Sequence, residues 1–153
     1  MSNNGWSIAE NVIKHIEQFL PKGSNILEFG SGRGTKTLLC LGYNVYSIEE
    51  DIRFYQLFHE NYCLAPVRED GWYDRYKVKS FIKDKEFDCL LIDGPAHGER
   101  AKILDPDSGV DFDKFKIIIV DDLDRDEDDQ LFEKLSANKQ NIKEETHGVI
   151  FND

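Results

Sequence analysis

Apolar residues recur along this chain in two rhythms. Ile8, Val12, Ile13, Ile16 and Phe19 keep the spacing of one helix face, and Pro21-Lys22-Gly23 ends that helix. Residues 25–29 read as a short buried strand running into Gly30-Ser31-Gly32-Arg33-Gly34, and residues 35–41 as a helix stopped by Gly42. A second strand, 44–48, ends in Glu49-Glu50-Asp51. Residues 52–62 have helical spacing, and 64–67 form a short third strand. After the aromatic turn Asp70-Gly71-Trp72-Tyr73-Asp74 comes a polar helical stretch to about residue 83. Two near-continuous apolar runs, 87–92 and 115–120, are strands ending in Asp93-Gly94-Pro95 and Asp121-Asp122. Residues 126–137 form a helix whose acidic first turn suits the helix dipole, and 141–146 with 149–151 a terminal strand pair around His147-Gly148.

Strands separated by helices, two of them apolar on both faces, imply an α/β fold with a mostly parallel sheet and right-handed crossovers. Ligands in such sheets bind at the carboxyl ends of the strands, here Gly30, Glu49, Asp70, Asp93 and Asp121. The 153 residues are the size of one domain, a helical segment over 1–22 and a core over 23–153. Thirty acidic residues against 19 Lys and Arg give a formal charge of −11, which argues against nucleic acid as a primary partner. The longest apolar run, 117–120, is far short of the roughly 18 residues of a bilayer span, so no membrane partner is expected. Residues 1–6 lack the basic-then-apolar pattern of a secretory leader, and Cys40, Cys63 and Cys89 show no Cys-x-x-Cys pairing. A cytoplasmic protein with reduced thiols is the expectation.

The glycine turn carries the most chemistry. A dinucleotide fingerprint would need its third glycine at position 35, where Thr35 stands. A phosphate loop aligns at Gly30, Lys36 and Thr37 but fails at the same Thr35, and Glu28 sets a carboxylate where a triphosphate would lie. A cationic nucleoside suits the pattern better: Glu28 takes an ammonium, the glycines admit close approach, and Glu49 accepts both ribose hydroxyls. A turn that only joins strand to helix remains open.

These segments resemble the class I S-adenosylmethionine (SAM)-dependent methyltransferases. Residues 26–34 match their first motif and Val45-Tyr46-Ser47-Ile48-Glu49 their second. Residues 87–95 look like their fourth strand, and Ile118-Ile119-Val120-Asp121-Asp122 with Arg125 like the fifth-strand end of some small-molecule O-methyltransferases. The resemblance implies a Rossmann-like, doubly wound, mostly parallel seven-stranded sheet with a terminal antiparallel strand. It implies SAM held by Glu28, Gly30, Ser31, Gly32, Glu49 and Asp93, with Asp70, Gly71 and Trp72 near the adenine. Trp72 can stack on the base or be a core aromatic.

Methyl transfer to a hydroxyl needs alignment and a route for the proton. Asp93, Asp121 and Asp122 are candidate ligands of Mg²⁺ or another divalent cation. The set is similar to that of metal-dependent catechol-type enzymes, with Asp122 where those carry Asn. His97 is the candidate general base, with Asp93 and Arg100 beside it. Asp93-Gly94-Pro95 and Arg100 are also similar to glucuronoxylan-type sugar methyltransferases. Asp122, Asp124, Asp126, Asp128 and Glu133 mimic a calcium loop, but Glu127 holds the position that wants glycine. His15, His59 and His147 receive no role.

The reading is a SAM-dependent methyltransferase acting on an oxygen of a small-molecule or saccharide acceptor. The alternatives are a non-catalytic methyltransferase-like binding module and, less favoured, a P-loop-like nucleotide hydrolase. Little of the chain is left to cover the acceptor. The insertion 104–109, a partner subunit, a second copy in a homo-oligomer or a large substrate has to complete that pocket.

Overall fold

A computed structural model describes residues 4–152, without the side chains of 4–9. Positions 1–3, part of the leader reading, and the side chain of Ile8 therefore lie outside the described residues, as does position 153. Helix α1 (Asn4–Phe19) leads into β1 (Asn25–Phe29), α2 (Arg33–Cys40), β2 (Asn44–Glu49), β3 (Tyr62–Leu64) and α3 (Arg75–Ile82). Then come β4 (Cys89–Ile92), β5 (Ile117–Asp121), α4 (Asp126–Ser136), β6 (Asn141–Lys143) and β7 (His147–Phe151). The seven strands lie in the order β3-β2-β1-β4-β5-β7-β6. Strands β1 to β5 are parallel, and β7 runs antiparallel to both β5 and β6.

Strand alternation divides the core between the two faces. Ile26, Leu91, Ile117, Ile119 and Val149 pack beneath Val12, Ile13, Ile16 and Leu38 of α1 and α2. Leu27, Phe29, Leu90, Ile92, Ile118, Val120 and Ile150 meet Val78 of α3, Leu131 and Phe132 of α4, and Trp72 with Tyr73. This is the expected doubly wound α/β sheet. In register, Glu28 lies beside Ser47, Phe29 beside Ile92, and Asp121 beside His147. The carboxyl ends of β1, β2, β4 and β5 therefore open on one edge.

Three local expectations are corrected. Residues 51–60 form successive turns, not a helix: the Asp51 side chain accepts from the Arg53 amide at 2.9 Å, and Gln56 has φ +56°. Only Asp51, Phe58 and His59, toward its ends, are partly covered, and Ile52 and Leu57 stay 71% and 55% exposed. Helical spacing without a partner face does not make a helix. Second, β3 lies at Tyr62–Leu64, and Val67 makes only an isolated bridge to Tyr73. Third, His147 and Gly148 belong to β7, and the Glu144 amide closes the turn onto the His147 carbonyl at 2.8 Å.

The insertion 104–109 does not reach over the strand ends. Arg75 pairs with Asp105 and Asp107, and the Trp72 Nε1–H donates to the Ser108 carbonyl at 3.1 Å. Among the described residues, no helix is long and apolar enough to cross a membrane.

Candidate functional site

Glu28 points from β1 toward α1 and α2 and is 2% exposed. The hydroxyls of Thr35 and Ser47 each donate to its Oε2 at 2.6 Å. Burial pushes its pKa up to about 7 against those two bonds, with the Glu49 charge adding to the rise. Thr35 also accepts the Gly32 amide at 3.0 Å. The position where both phosphate-binding patterns want glycine thus holds a hydroxyl that braces a carboxylate.

Gly30 sits at φ +88°, where a Cβ would lie 2.5 Å from the Asp93 carbonyl oxygen, so only glycine fits. Beyond it, Glu49 ends β2 with its carboxylate turned to the glycine loop. Its Oε1 accepts from the Ser31 amide and hydroxyl, both at 2.9 Å, and its Oε2 from the Asp51 amide at 2.9 Å. Glu50 next to it accepts the amides of Ala96 and His97 at 2.7 and 3.1 Å, which ties the loop after β4 to the end of β2.

The ends of β4 and β5 bring Asp93, Asp121 and Asp122 together, with one carboxylate oxygen of each within 4.8 Å of the others. Asp122 has φ +62°, and its amide donates to Asp121 Oδ1 at 2.8 Å. Desolvation and the Asp122 charge raise the Asp121 carboxyl to about 6, and desolvation with both neighbouring charges holds Asp93 well above the carboxylate range. Arg100, 4% exposed, reaches Asp122 Oδ2 at 2.7 Å and lies 3.6 Å from Asp128 and 3.9 Å from Asp93 Oδ1. It also donates to the carbonyls of Asp93 and Pro95 at 3.3 and 3.4 Å. Arg100, expected beside His97, is therefore a buried brace for the carboxylates.

A cavity of about 250 Å³ joins these parts, running from Val12 and Ile13 past Glu28 and the glycine loop to Asp93, Asp121 and Asp122. Of the expected site residues, Glu28, Gly30, Gly32, Asp93, Asp121 and Asp122 line it. Ser31 and Glu49 are bonded to each other and are not part of that lining. Asp70 caps the Trp72 amide at 3.2 Å and pairs with Arg75. Both bonds hold its carboxyl below the usual range. Gly71 at φ +95° accepts the Glu99 amide at 2.7 Å. Trp72 is a core aromatic: it is fully buried, with ring centroids 5.3 Å from Phe29 and 5.0 Å from Tyr73. Base stacking on it is corrected, since no ring face is free. The His97 side chain is 83% exposed, with Nδ1 3.6 Å from Glu50.

Sequence reasoning missed five participants. Asp128 is fully buried against Arg100 and Arg125 and raised to about 6 by that burial, yet in sequence it is one acid in a run of acids. Ser47 could have been found from strand register opposite Glu28, and Glu50 from its place at a strand end. Val12 and Ile13 were read only as helix core.

No family model matches this chain, and no curated protein does. Solved structures do. The MycE methyltransferase of the mycinamycin biosynthetic pathway, in complex with Mg and SAH, superposes with a TM-score of 0.59 at 9% identity over 98% of this chain and 47% of MycE. The candidate RNA methyltransferase PH1948 of Pyrococcus horikoshii gives 0.54 at 17% identity, over 95% of this chain and 83% of that one. A TehB-like SAM-dependent methyltransferase of Corynebacterium glutamicum gives 0.51 at 13%, over 96% and 99%. The chain has the class I SAM-dependent methyltransferase fold. It spans about half the length of MycE.

Proposed function

We propose that this chain binds SAM at the glycine loop and transfers its methyl group to a hydroxyl oxygen of a small molecule or saccharide. The observation that carries this reading is the continuous cavity from buried Glu28 to the three carboxylates. An acidic lining favours a cationic ligand and disfavours polyphosphate.

In this reading Glu28 receives the ammonium, Glu49 the ribose hydroxyls, and the open space beside Gly32 and Gly34 admits the amino-acid portion. Asp93, Asp121 and Asp122 fit a hard divalent cation: three carboxylate oxygens converge, and their mutual repulsion is what such a cation relieves. When bound there, a divalent cation lowers the pKa of an acceptor hydroxyl. Arg100 and Asp128 hold the carboxylates in place. His97, on the loop that follows Asp93, takes the hydroxyl proton as the C–O bond forms and the C–S bond breaks. MycE was crystallised with Mg, SAH and mycinamycin VI, which supports a small-molecule acceptor and a cation. With the insertion 104–109 stapled elsewhere, a second copy, a partner or the acceptor itself closes the pocket.

Calorimetric titration with S-adenosylhomocysteine tests the proposal. Wild type binds, and Glu49→Ala binds at least about tenfold more weakly, the loss of a charged hydrogen-bond acceptor. Absence of binding at millimolar ligand would leave a non-catalytic scaffold. Tight ATP binding abolished by Lys36→Ala would favour a nucleotide site instead.

A further inference from the structure

Behind Glu28 runs a chain of hydrogen bonds that the proposed chemistry does not use. The Asn61 amide donates to His59 Nδ1 at 2.9 Å, and His59 Nε2 lies 2.9 Å from Ser47 Oγ. A backbone N–H can only donate, so Nδ1 is the acceptor and the neutral ring carries its proton on Nε2. Nε2–H therefore donates to Ser47, and the Ser47 hydrogen is aimed at Glu28 Oε2. The second line has the same polarity: Gly32 amide to Thr35 hydroxyl to Glu28 Oε2. Both lines end on one oxygen, and among the described residues no hydrogen bond ends on Oε1.

We propose that His59 is a positioning residue that holds Glu28 as a carboxylate, so that the floor of the cavity is an anionic seat made ready for an ammonium. This rests on the reading of the cavity as a site for a cationic nucleoside. Glu28 is otherwise poised to lose its charge. It faces Thr35 and the apolar Leu38 from α2, Ser47 from β2, Leu91 from β4, and Val12 and Ile13 from α1. The Glu49 charge opposes its ionisation, as does burial. His59 itself faces Ser47, the Asn61 amide and the Tyr62 ring at 4.4 Å, and burial keeps the imidazole below its ordinary pKa. Protonation would place a hydrogen on Nδ1 against the Asn61 N–H, so the ring is held neutral by geometry as well.

The experiment compares wild type, His59→Ala and His59→Gln, whose amide restores an N–H donor to Ser47. Affinity is measured by calorimetry from pH 6 to 8.5 with S-adenosylhomocysteine and with 5′-methylthioadenosine, which lacks the ammonium. Carbon-13 NMR of labelled glutamate carboxyls follows Glu28 directly. In wild type, affinity for S-adenosylhomocysteine rises with pH until Glu28 is ionised. His59→Ala moves both the affinity profile and the Glu28 titration up by about one pH unit, a loss of about fivefold at pH 7 that approaches about tenfold at pH 6. The glutamine variant restores both, and methylthioadenosine affinity is the same in all three proteins. An unmoved Glu28 titration in His59→Ala overturns the assignment, as does an equal loss for both ligands. If wild type binds neither nucleoside, the cofactor reading falls, and a shifted Glu28 titration would still establish the role of His59.

Discussion

Replacing Arg100 by Met removes a buried cation from among four carboxylates, of which Asp128 is fully buried, while keeping most of the side-chain volume. Asp128 is fully buried with no hydrogen bond on either carboxylate oxygen, so its compensation comes from Arg100 at 3.6 Å and Arg125 at 3.3 Å. Arg125 is 46% exposed, which weakens its share. Arg100 also offsets Asp122 at 2.7 Å and Asp93 at 3.9 Å. Removing one partner of a buried pair costs about 3–5 kcal/mol, a large part of the roughly 5–15 kcal/mol that holds a domain folded. That cost is a charge cost. Asp128 and Asp121 already ionise only near 6, and losing Arg100 raises them further. At pH 5 both are protonated in the folded state, so the penalty there falls to about 1–2 kcal/mol of lost packing and carbonyl contacts. Urea unfolding of wild type and variant at pH 5 and pH 8, without ligand, reads the difference. Asp128→Asn added to Arg100→Met regains most of the loss at pH 8. A penalty equal at the two pH values, or below about 1 kcal/mol at pH 8, would refute Arg100 as the electrostatic brace.

Wild type without ligand is itself more stable at pH 5 than at pH 8, by about 3 kcal/mol in urea unfolding. Glu28, Asp121 and Asp128 ionise at about 7, 6 and 6 when folded, against 4.5, 3.8 and 3.8 otherwise. The folded state therefore binds more protons between pH 4 and 7, and stability is lost as pH rises through that window. His59 and His147, both lowered by burial, oppose the trend below their ordinary pKa, and Asp51, Asp70 and Asp74, all lowered, matter only in stronger acid. A flat profile would contradict the cluster's electrostatics. Trp72→Phe costs about 1–2 kcal/mol through the lost bond to the Ser108 carbonyl. It leaves S-adenosylhomocysteine affinity within about twofold, and a tenfold loss of affinity at unchanged stability would return the ring to the cofactor.

The strands were legible because their interiors are apolar on both faces: β1 lies where the run before Gly30 put it, and β4 and β5 end at the expected aspartates. The three-carboxylate cluster followed, since consecutive parallel strands deliver their ends to one edge. Residues 52–62 failed for a physical reason. A periodic apolar pattern specifies a helix only when a surface receives the whole apolar face, and here Ile52 and Leu57 meet none. Trp72, Arg100 and Asp128 share another limit. A tryptophan beside a turn, an arginine in a loop and an aspartate among acids look solvent-facing until the fold buries them. Glu28 stood out as an acid inside an apolar strand, but its hydroxyl braces depend on register between β1 and β2.

Gly30 and Asp93 meet main chain to main chain, with no side chain between them to absorb a displacement. The two halves of the cleft are therefore geared together, and an ångström of movement at the end of β4 is transmitted undamped to the nucleoside loop. Substitutions that reshape the region around Asp93 will therefore shift the glycine loop at the same time. The exposed side chain of Ala96, just after Pro95, can vary while the geared contact stays still.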